Sequence, residues 1–214
     1  MNDLERLSSM AIIILALWIL GVVYAVFYIV PPVEGLGYLV RIAFFHIPVA
    51  WVSVLAFLMS AYWAFKYLRT KKMIYDKRSS VAAILGLAFC LLATISGAVF
   101  AKLTWGSYWN WDPRQTTIFI LLLIYGAYLS LRVSIENMED KARISAVYAL
   151  LSVLTVPFLV FVIPRFYFSL HPEPVINKAA ALNIEPVMLY VLLTATGACT
   201  LLFAVIYKRL VRRG

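Results

Sequence analysis

The sequence predicts an all-α membrane protein with six transmembrane helices. Apolar residues make up 64% of the chain and charged residues only 14%, far from the balance of a soluble domain. Six windows contain no Asp, Glu, Lys or Arg, and each is long enough to cross a bilayer core, which takes roughly 17–25 residues. None shows the alternation of a barrel strand, and only helices and closed barrels satisfy the backbone in hydrocarbon.

The six windows define the predicted spans in chain order. They lie at residues 7–33, 42–65, 79–101, 115–131, 144–164 and 186–207. The first window begins beside acidic residues and ends at Pro31-Pro32 without a small-residue cleavage site, so we expect it to be a span and not a signal peptide. The connections are too short to bury a core of their own. Residues 1–214 are therefore predicted to form a single membrane-embedded domain.

The positive charges predict the orientation, because Lys and Arg collect on the cytoplasmic side of a membrane. If both termini are cytoplasmic, fourteen of the nineteen Lys and Arg residues lie on that side. The five on the outer side are Arg41, Lys102, Arg114, Arg165 and Lys178. We interpret the net charge of +9 as a topology signal, and we expect no nucleic-acid partner.

The chain has two histidines, and this topology places both in its outer half. His46, in "RIAFFHIPVAW", lies about one turn inside the second span, where a titratable group usually faces the protein interior or a wet cavity. Pro48 is expected to bend this helix end towards the outer surface. His171, in "SLHPEPV", lies in the third outer connection, about 164–185. Taken singly, His46 is also explained by a hydrogen bond between helices, and His171 by a solvated loop.

The second outer connection, about 102–115, holds most of the segment "WGSYWNWDPRQT" at residues 105–116, here called the tryptophan segment. Its aromatic side chains can build a broad flat apolar surface with N–H donors at the rim, which suits a planar ligand. They are Trp105, Tyr108, Trp109 and Trp111. The alternative is an aromatic girdle at the membrane interface, although girdle residues are scattered over many helix ends.

Asp112 and Pro113 predict the start of the fourth helix, because aspartate is a good N-cap and proline suits the first helical position. Arg41 and Arg114 are candidates for pairing with ligand carboxylates, and the alternative is that each anchors a helix end. Haem matches these features, since it offers a flat macrocycle, two propionates and an iron that accepts imidazole. The two histidines are then candidate iron ligands.

The tryptophan segment resembles the WWD signature of haem-handling proteins, roughly W-G-x-x-W-x-W-D-x-R-x-T. The segments "RIAFFHIPVAW" and "SLHPEPV" are similar to the histidine-bearing segments of the CcmC family, the haem exporter protein C of bacterial cytochrome c maturation. The six-span layout extends the resemblance over essentially the whole chain. Proteins of the CcmF and CcsA types share the segment but are larger, with more spans and more histidines.

The resemblance implies that His46 and His171 are the axial ligands of a non-covalently held haem b. It implies that the WWD segment lies in the second periplasmic loop and holds haem at the periplasmic face of the bacterial cytoplasmic membrane. The residues of this haem and chaperone platform are Trp105, Gly106, Tyr108, Trp109, Trp111 and Asp112. Gln115 departs from the usual leucine after the arginine, and Pro113 stiffens the helix start.

The same resemblance implies partners. Haem passes to the periplasmic haem chaperone CcmE, the small membrane protein CcmD assists, and the CcmA–CcmB ATPase acts later. We expect a haem-transfer protein and not an enzyme in its own right, although the family promotes a covalent bond between a haem vinyl group and a chaperone histidine. The chain has neither a C-x-x-C-H motif nor a phosphate-binding loop.

Four alternatives stay open from the sequence. They are an electron-carrying membrane cytochrome, a CcsA-like cytochrome c synthase component, a solute channel or carrier, and a scaffold subunit without a ligand. Cys90 and Cys199 lie within predicted spans and are interpreted as packing residues.

Overall fold

The computed structural model describes residues 3–171 and 184–213, and this part of the chain is helical. The helices are α1 Asp3–Tyr28, α2 Ala43–Thr70, α3 Met73–Trp105, α4 Pro113–Ser134, α5 Met138–Pro157, α6 Ile163–Phe166 and α7 Pro186–Arg213. A 3₁₀ helix, Tyr38–Ile42, leads into α2, and a π-helical segment, Phe158–Val162, joins α5 to α6. Six helical units are long and apolar enough to cross a membrane, which confirms the predicted six-span helical fold.

Several helices extend beyond the charge-free windows that predicted them. Helix α2 continues through Lys66 and Arg69 to Thr70, because long basic side chains reach polar surroundings while their backbone stays helical. Helix α3 likewise runs on through Lys102 to Trp105. The second connection is therefore shorter than predicted, and Trp105 belongs to a helix.

Gly106 ends α3. Its φ of 81° is left-handed, a conformation that glycine adopts without steric cost, and its N–H bonds to the Lys102 carbonyl at 3.2 Å. The predicted start of α4 is confirmed, since the Asp112 carboxylate accepts a 2.9 Å hydrogen bond from the Arg114 N–H and Pro113 is the first helical residue.

Helices α2 and α3 form the centre of the bundle and pack closely through small residues. A side-chain carbon at Gly86 would lie 2.6 Å from the ring of Phe57, so only glycine permits this approach. Small residues at such contacts are typical of membrane helices, whose association depends on close packing. Helix α2 also contacts α5 and α7, whereas α1 packs on α7 and is largely exposed.

The two ends of the bundle differ. At one end, Asp76 of α3 and Arg132 of α4 form a bidentate ion pair with N–O distances of 2.7 and 2.9 Å. The other end, here called the tryptophan end, gathers residues 29–42, 106–112 and 167–171. Long-range hydrogen bonds from Asp112 join the second of these connections to the third, and the candidate site lies beneath them.

Candidate functional site

A cavity of about 670 Å³ lies at the tryptophan end, among α2, α3, α4, α7 and the segment that joins α5 to α6. Its volume falls in the range of small-molecule sites, roughly 300–1,000 Å³. Most of its lining is apolar. Among the described residues, the ionisable side chains on its wall are His46, Arg114, His171 and Glu185. The fold thus brings both histidines, 125 positions apart in sequence, to one apolar cavity.

His46 lies one turn after the start of α2, as predicted, and its ring is fixed by α3. Its Nδ1 is 3.0 Å from the hydroxyl of Ser96, and that hydroxyl also lies 2.8 Å from the Leu92 carbonyl. A serine hydroxyl has one hydrogen, which a helical serine commonly gives to the carbonyl four residues earlier. Ser96 then accepts from Nδ1–H of His46, which leaves the Nε2 lone pair for a ligand bond.

Gly97 makes room for this ring. A side-chain carbon at Gly97 would lie 3.1 Å from Cε1 of His46. The imidazole therefore lies against the backbone of α3, where a larger residue would displace it.

His171 is held by Asp112, the aspartate of the tryptophan segment. Nδ1 of His171 donates to the Asp112 carboxylate at 2.9 Å. The same carboxylate accepts from the Ser169 hydroxyl at 2.9 Å and from the Leu170 N–H at 2.7 Å. Asp112 is only 4% exposed, so water does not replace these donors. The predicted capping aspartate thus also orients a histidine, whose Nε2 has no hydrogen-bond partner among the described residues.

The protonation states suit a metal-binding imidazole. Burial lowers the pKa of His171 to about 4, an effect larger than the opposing attraction of Asp112. Burial alone would raise the pKa of Asp112, but the N–H groups of Arg114 and Leu170 and the neighbouring His171 hold it below its ordinary value. At neutral pH the pair is a neutral imidazole and a carboxylate, and the neutral imidazole is the form that binds metals.

The aromatic side chains of the tryptophan segment surround this site in different orientations. Trp105 packs edge-on against the His171 ring at 4.9 Å, and Trp109 lines the cavity. Trp109 and Trp111 meet at 88°, so the rings do not share the one flat plane that was expected. Trp111 is 71% exposed and Tyr108 is 60% exposed. One part of the segment therefore faces the cavity and another faces outward.

The two candidate arginines are placed differently. Both have a buried Nε without a hydrogen-bond partner in the described residues, but Arg114 lines the cavity. Arg41 is absent from the cavity lining. It donates to the Phe27 carbonyl at 2.7 Å and lies over the Tyr38 ring, with 4.2 Å from its guanidinium carbon to the ring centroid.

Four site residues were not singled out as contacts from the sequence: Ser96, Gly97, Gln115 and Ser169. Gln115 holds the tryptophan segment, since its side chain accepts from the Asn110 N–H at 2.8 Å and donates to the Tyr108 carbonyl at 3.3 Å. Ser169 has a local signal, because it lies two residues from His171. Ser96 and Gly97 have none, since they meet His46 only when α2 and α3 pack.

A family model described as "CcmC: Heme exporter protein C" matches residues 2–213. The chain belongs to the CcmC family. Heme exporter protein C of Bradyrhizobium diazoefficiens is 28% identical over 176 residues, which cover 82% of this chain and 66% of that protein. Heme exporter protein C of Paracoccus denitrificans is 28% identical over 174 residues, 81% of this chain and 72% of that protein.

Other relatives match over shorter stretches. A putative cytochrome c biosynthesis ccmC-like mitochondrial protein of Arabidopsis thaliana is 36% identical over 97 residues, 45% of this chain and 38% of that protein. Cytochrome c biogenesis protein CcsA of Fagopyrum esculentum is 41% identical over 71 residues, 33% of this chain and 22% of that protein. The chain thus spans less than two thirds of several relatives that it matches.

Membership of the CcmC family makes the chain a multi-pass membrane protein of a haem exporter family concerned with cytochrome c biogenesis. The donor set of the cavity fits haem. In the described residues no three His, Cys, Asp or Glu side chains are grouped to hold a bare metal ion. Two imidazoles suffice for a haem iron, because the porphyrin supplies the other four nitrogens.

Proposed function

We propose that this protein holds haem b non-covalently between His46 and His171 and delivers it to a periplasmic haem chaperone of the CcmE type during c-type cytochrome biogenesis. The observation that carries the proposal is the shared cavity. Two imidazoles border it, and each has Nδ1 engaged and Nε2 left for a metal. A hydrogen bond to the second ring nitrogen is the usual support of a metal-binding histidine.

The rest of the cavity suits the porphyrin ring and its propionates. Its apolar wall, with Trp109, suits the macrocycle, because burial of apolar surface drives such binding. Arg114 provides a cation for a propionate, and its buried Nε has no partner in the described residues. No side chain acts as an acid or base in this scheme, because the protein binds, orients and releases its cargo.

The tryptophan end faces the periplasm of the bacterial cytoplasmic membrane in this proposal, and both termini are cytoplasmic. The uneven distribution of Lys and Arg supports this orientation. Trp111 and Tyr108 are exposed at the same end and form the surface that the chaperone contacts. CcmD and the CcmA–CcmB ATPase are the membrane partners of the complete system.

The primary test is the optical spectrum of the purified protein with added haem. The wild type should give the low-spin spectrum of a haem with two nitrogen ligands, and the double variant His46→Ala, His171→Ala should lose it. Ser130→Ala is a matched control, since in the described part of the chain its hydroxyl bonds only to the Gly126 carbonyl of the same helix. Normal haem absorption in the double variant would refute the ligand assignment.

Orientation has its own test, because a thiol reagent that does not cross membranes reports on sidedness. With Cys90 and Cys199 replaced by alanine, Tyr108→Cys should react from the periplasmic side. Lys71→Cys should react only after the membrane is permeabilised. The reverse pattern would place the tryptophan end in the cytoplasm and exclude periplasmic delivery.

The local similarity to CcsA favours a second candidate function, a component that itself attaches haem to an apocytochrome. The two candidates differ in the acceptor. Purified haem-loaded protein should transfer haem to a chaperone of the CcmE type and not to an apocytochrome with a C-x-x-C-H motif. Direct transfer to the apocytochrome would favour the second candidate.

A further inference from the structure

The two histidines of the cavity differ in what holds them. Nδ1 of His46 bonds to a neutral hydroxyl, Ser96, at 3.0 Å. Nδ1 of His171 bonds to the Asp112 carboxylate at 2.9 Å. Ser96 donates its one hydroxyl hydrogen to the carbonyls of Leu92 and Ala93, at 2.8 and 3.1 Å, and its oxygen is left to accept from Nδ1–H of His46. This difference between the two hydrogen-bond acceptors follows from the fold, because Ser96 is fixed on α3 and Asp112 is fixed at the start of α4.

This difference changes the strength of each imidazole as a ligand. A hydrogen bond with an ionised acceptor is roughly twice as strong as one between neutral groups. A carboxylate on the remote N–H draws positive charge onto the ring hydrogen, so Nε2 donates more electron density to a metal. A hydroxyl does this weakly. His171 is therefore the stronger donor, and His46 is the weaker one.

The surroundings also hold His171 more firmly than His46. Asp112 is fixed by the Arg114 and Leu170 N–H groups and by Ser169, so its carboxylate cannot turn away without losing several hydrogen bonds. The rings of Trp105 and His171 also pack together, with 4.9 Å between their centroids. His46 has only Ser96 as a side-chain hydrogen-bond partner in the described residues.

We propose that the iron–His46 bond is the one that opens when haem is handed over, and that His171 stays bound until the acceptor holds the iron. This inference rests on the proposed function. Nε2 of His46 keeps its lone pair as the bond breaks, and a lone pair from an incoming nitrogen or oxygen donor replaces it. The iron keeps its oxidation state and its number of ligands. Ser96 is then a positioning residue that holds the His46 ring and supports Nε2 as a donor only weakly.

Carbon monoxide is a suitable probe, because it displaces one axial ligand of reduced haem and reports on the ligand opposite. A stronger donor opposite CO increases back-donation from iron and lowers the C–O stretching frequency. The experiment compares the infrared spectra of CO complexes of the full chain as wild type, His46→Gly and His171→Gly. The expected result is that His46→Gly reproduces the wild-type frequency, whereas His171→Gly gives a higher one.

Two further variants test the partners of the rings. The CO complex of Asp112→Asn should have a higher C–O frequency than that of the wild type, because the substitution removes the negative charge behind His171. Ser96→Ala should leave that frequency in place, since His46 is off the iron in the CO complex, but it should speed CO binding. Ser96→Thr, which keeps the hydroxyl, should restore the wild-type rate. If Ser96 had only a structural role, Ser96→Ala would not change the rate of CO binding while leaving the C–O stretching frequency unchanged.

The outcomes distinguish failure of the proposed function from failure of the proposed order of ligand release. If reduced wild-type protein lacks the spectrum of a haem with two nitrogen ligands, the proposed function fails and this inference fails with it. If that spectrum is present but His171→Gly reproduces the wild-type C–O frequency, only the inference is overturned. Two C–O bands of similar intensity in the wild type would also overturn it. Should a glycine variant not fold, the comparison of Asp112→Asn with Ser96→Ala decides alone.

Discussion

The side chains of Asp112 and His171 meet across 59 positions of sequence, with 2.9 Å between a carboxylate oxygen and Nδ1. The same carboxylate caps α4 through the Arg114 N–H and holds the Leu170 N–H of the third outer connection. One aspartate therefore fixes a helix start, a connection and a candidate iron ligand. Substitution of Asp112 should affect haem binding more than its capping role alone would.

Asp112→Ala should weaken haem binding by about 10–100-fold, the usual cost of removing the hydrogen-bond partner of a metal-binding histidine. Loss of the helix cap adds about 1 kcal/mol of destabilisation. Titration with haem, followed by absorbance, gives the dissociation constant. Asp140→Ala is the control, because Asp140 pairs with Arg143 on an exposed surface of α5 and should bind haem like the wild type. An unchanged dissociation constant in Asp112→Ala would contradict the assigned role.

The six spans and the start of α4 could be predicted from sequence, because hydropathy and capping are local properties. The helix ends were less predictable. Helix α2 runs past Lys66 and Arg69, since a charge at a helix end does not stop the helix. Trp105, expected in a connection, completes α3 because Gly106 is the residue that terminates it.

The hydrogen bonds within the site could not be predicted, because they join residues that are distant in sequence. Ser96 is fifty positions from His46, and nothing near either residue indicates the contact. Arg41 and Arg114 looked alike in sequence, as outer arginines beside a span. Only packing shows that Arg114 lines the cavity and that Arg41 bonds to the end of α1.

Gly97→Ala should weaken haem binding several-fold, because its new methyl group would lie 3.1 Å from Cε1 of His46 and push the ring aside. Overpacking of this kind costs about 1–3 kcal/mol. Gly126→Ala is a matched control, since a side-chain carbon there has no atom within 4 Å outside its own helix backbone. Haem titration should separate the two variants, and equal affinities would show that His46 does not depend on this contact.

Arg114→Gln should reduce the affinity for haem by about 10–100-fold, in line with the roughly 1.5–3 kcal/mol of a hydrogen bond to a charged group. Haem dimethyl ester, which lacks the propionate charges, should bind the variant and the wild type about equally. The comparison therefore isolates the carboxylate contact from the iron contact. Arg41→Gln should keep the wild-type preference for the free acid, because Arg41 lies outside the cavity lining. If Arg41→Gln lost the preference for haem over its dimethyl ester and Arg114→Gln kept it, Arg41 and not Arg114 would be the residue that contacts a propionate.

The buried ion pair between Asp76 and Arg132 should matter for stability and not for haem binding, because it lies at the end of the bundle opposite the cavity. Asp76→Asn leaves the Arg132 charge without its buried partner, which costs about 3–5 kcal/mol. The double variant Asp76→Leu, Arg132→Met should recover much of this loss, since neither charge is then buried. Asp140→Asn is the control, because the exposed Asp140–Arg143 pair contributes about 0–1 kcal/mol.

Thermal unfolding in detergent, followed by circular dichroism, compares the four proteins of this set. The midpoint should fall most in Asp76→Asn, rise again in the double variant and stay near the wild-type value in Asp140→Asn. Folded protein from each variant should show the same haem spectrum, because the two candidate iron ligands, His46 and His171, lie at the tryptophan end. A changed haem spectrum in folded Asp76→Asn would mean that the two ends of the bundle are coupled. A double variant no more stable than Asp76→Asn would mean that the pair is needed for its specific geometry and not only for charge balance.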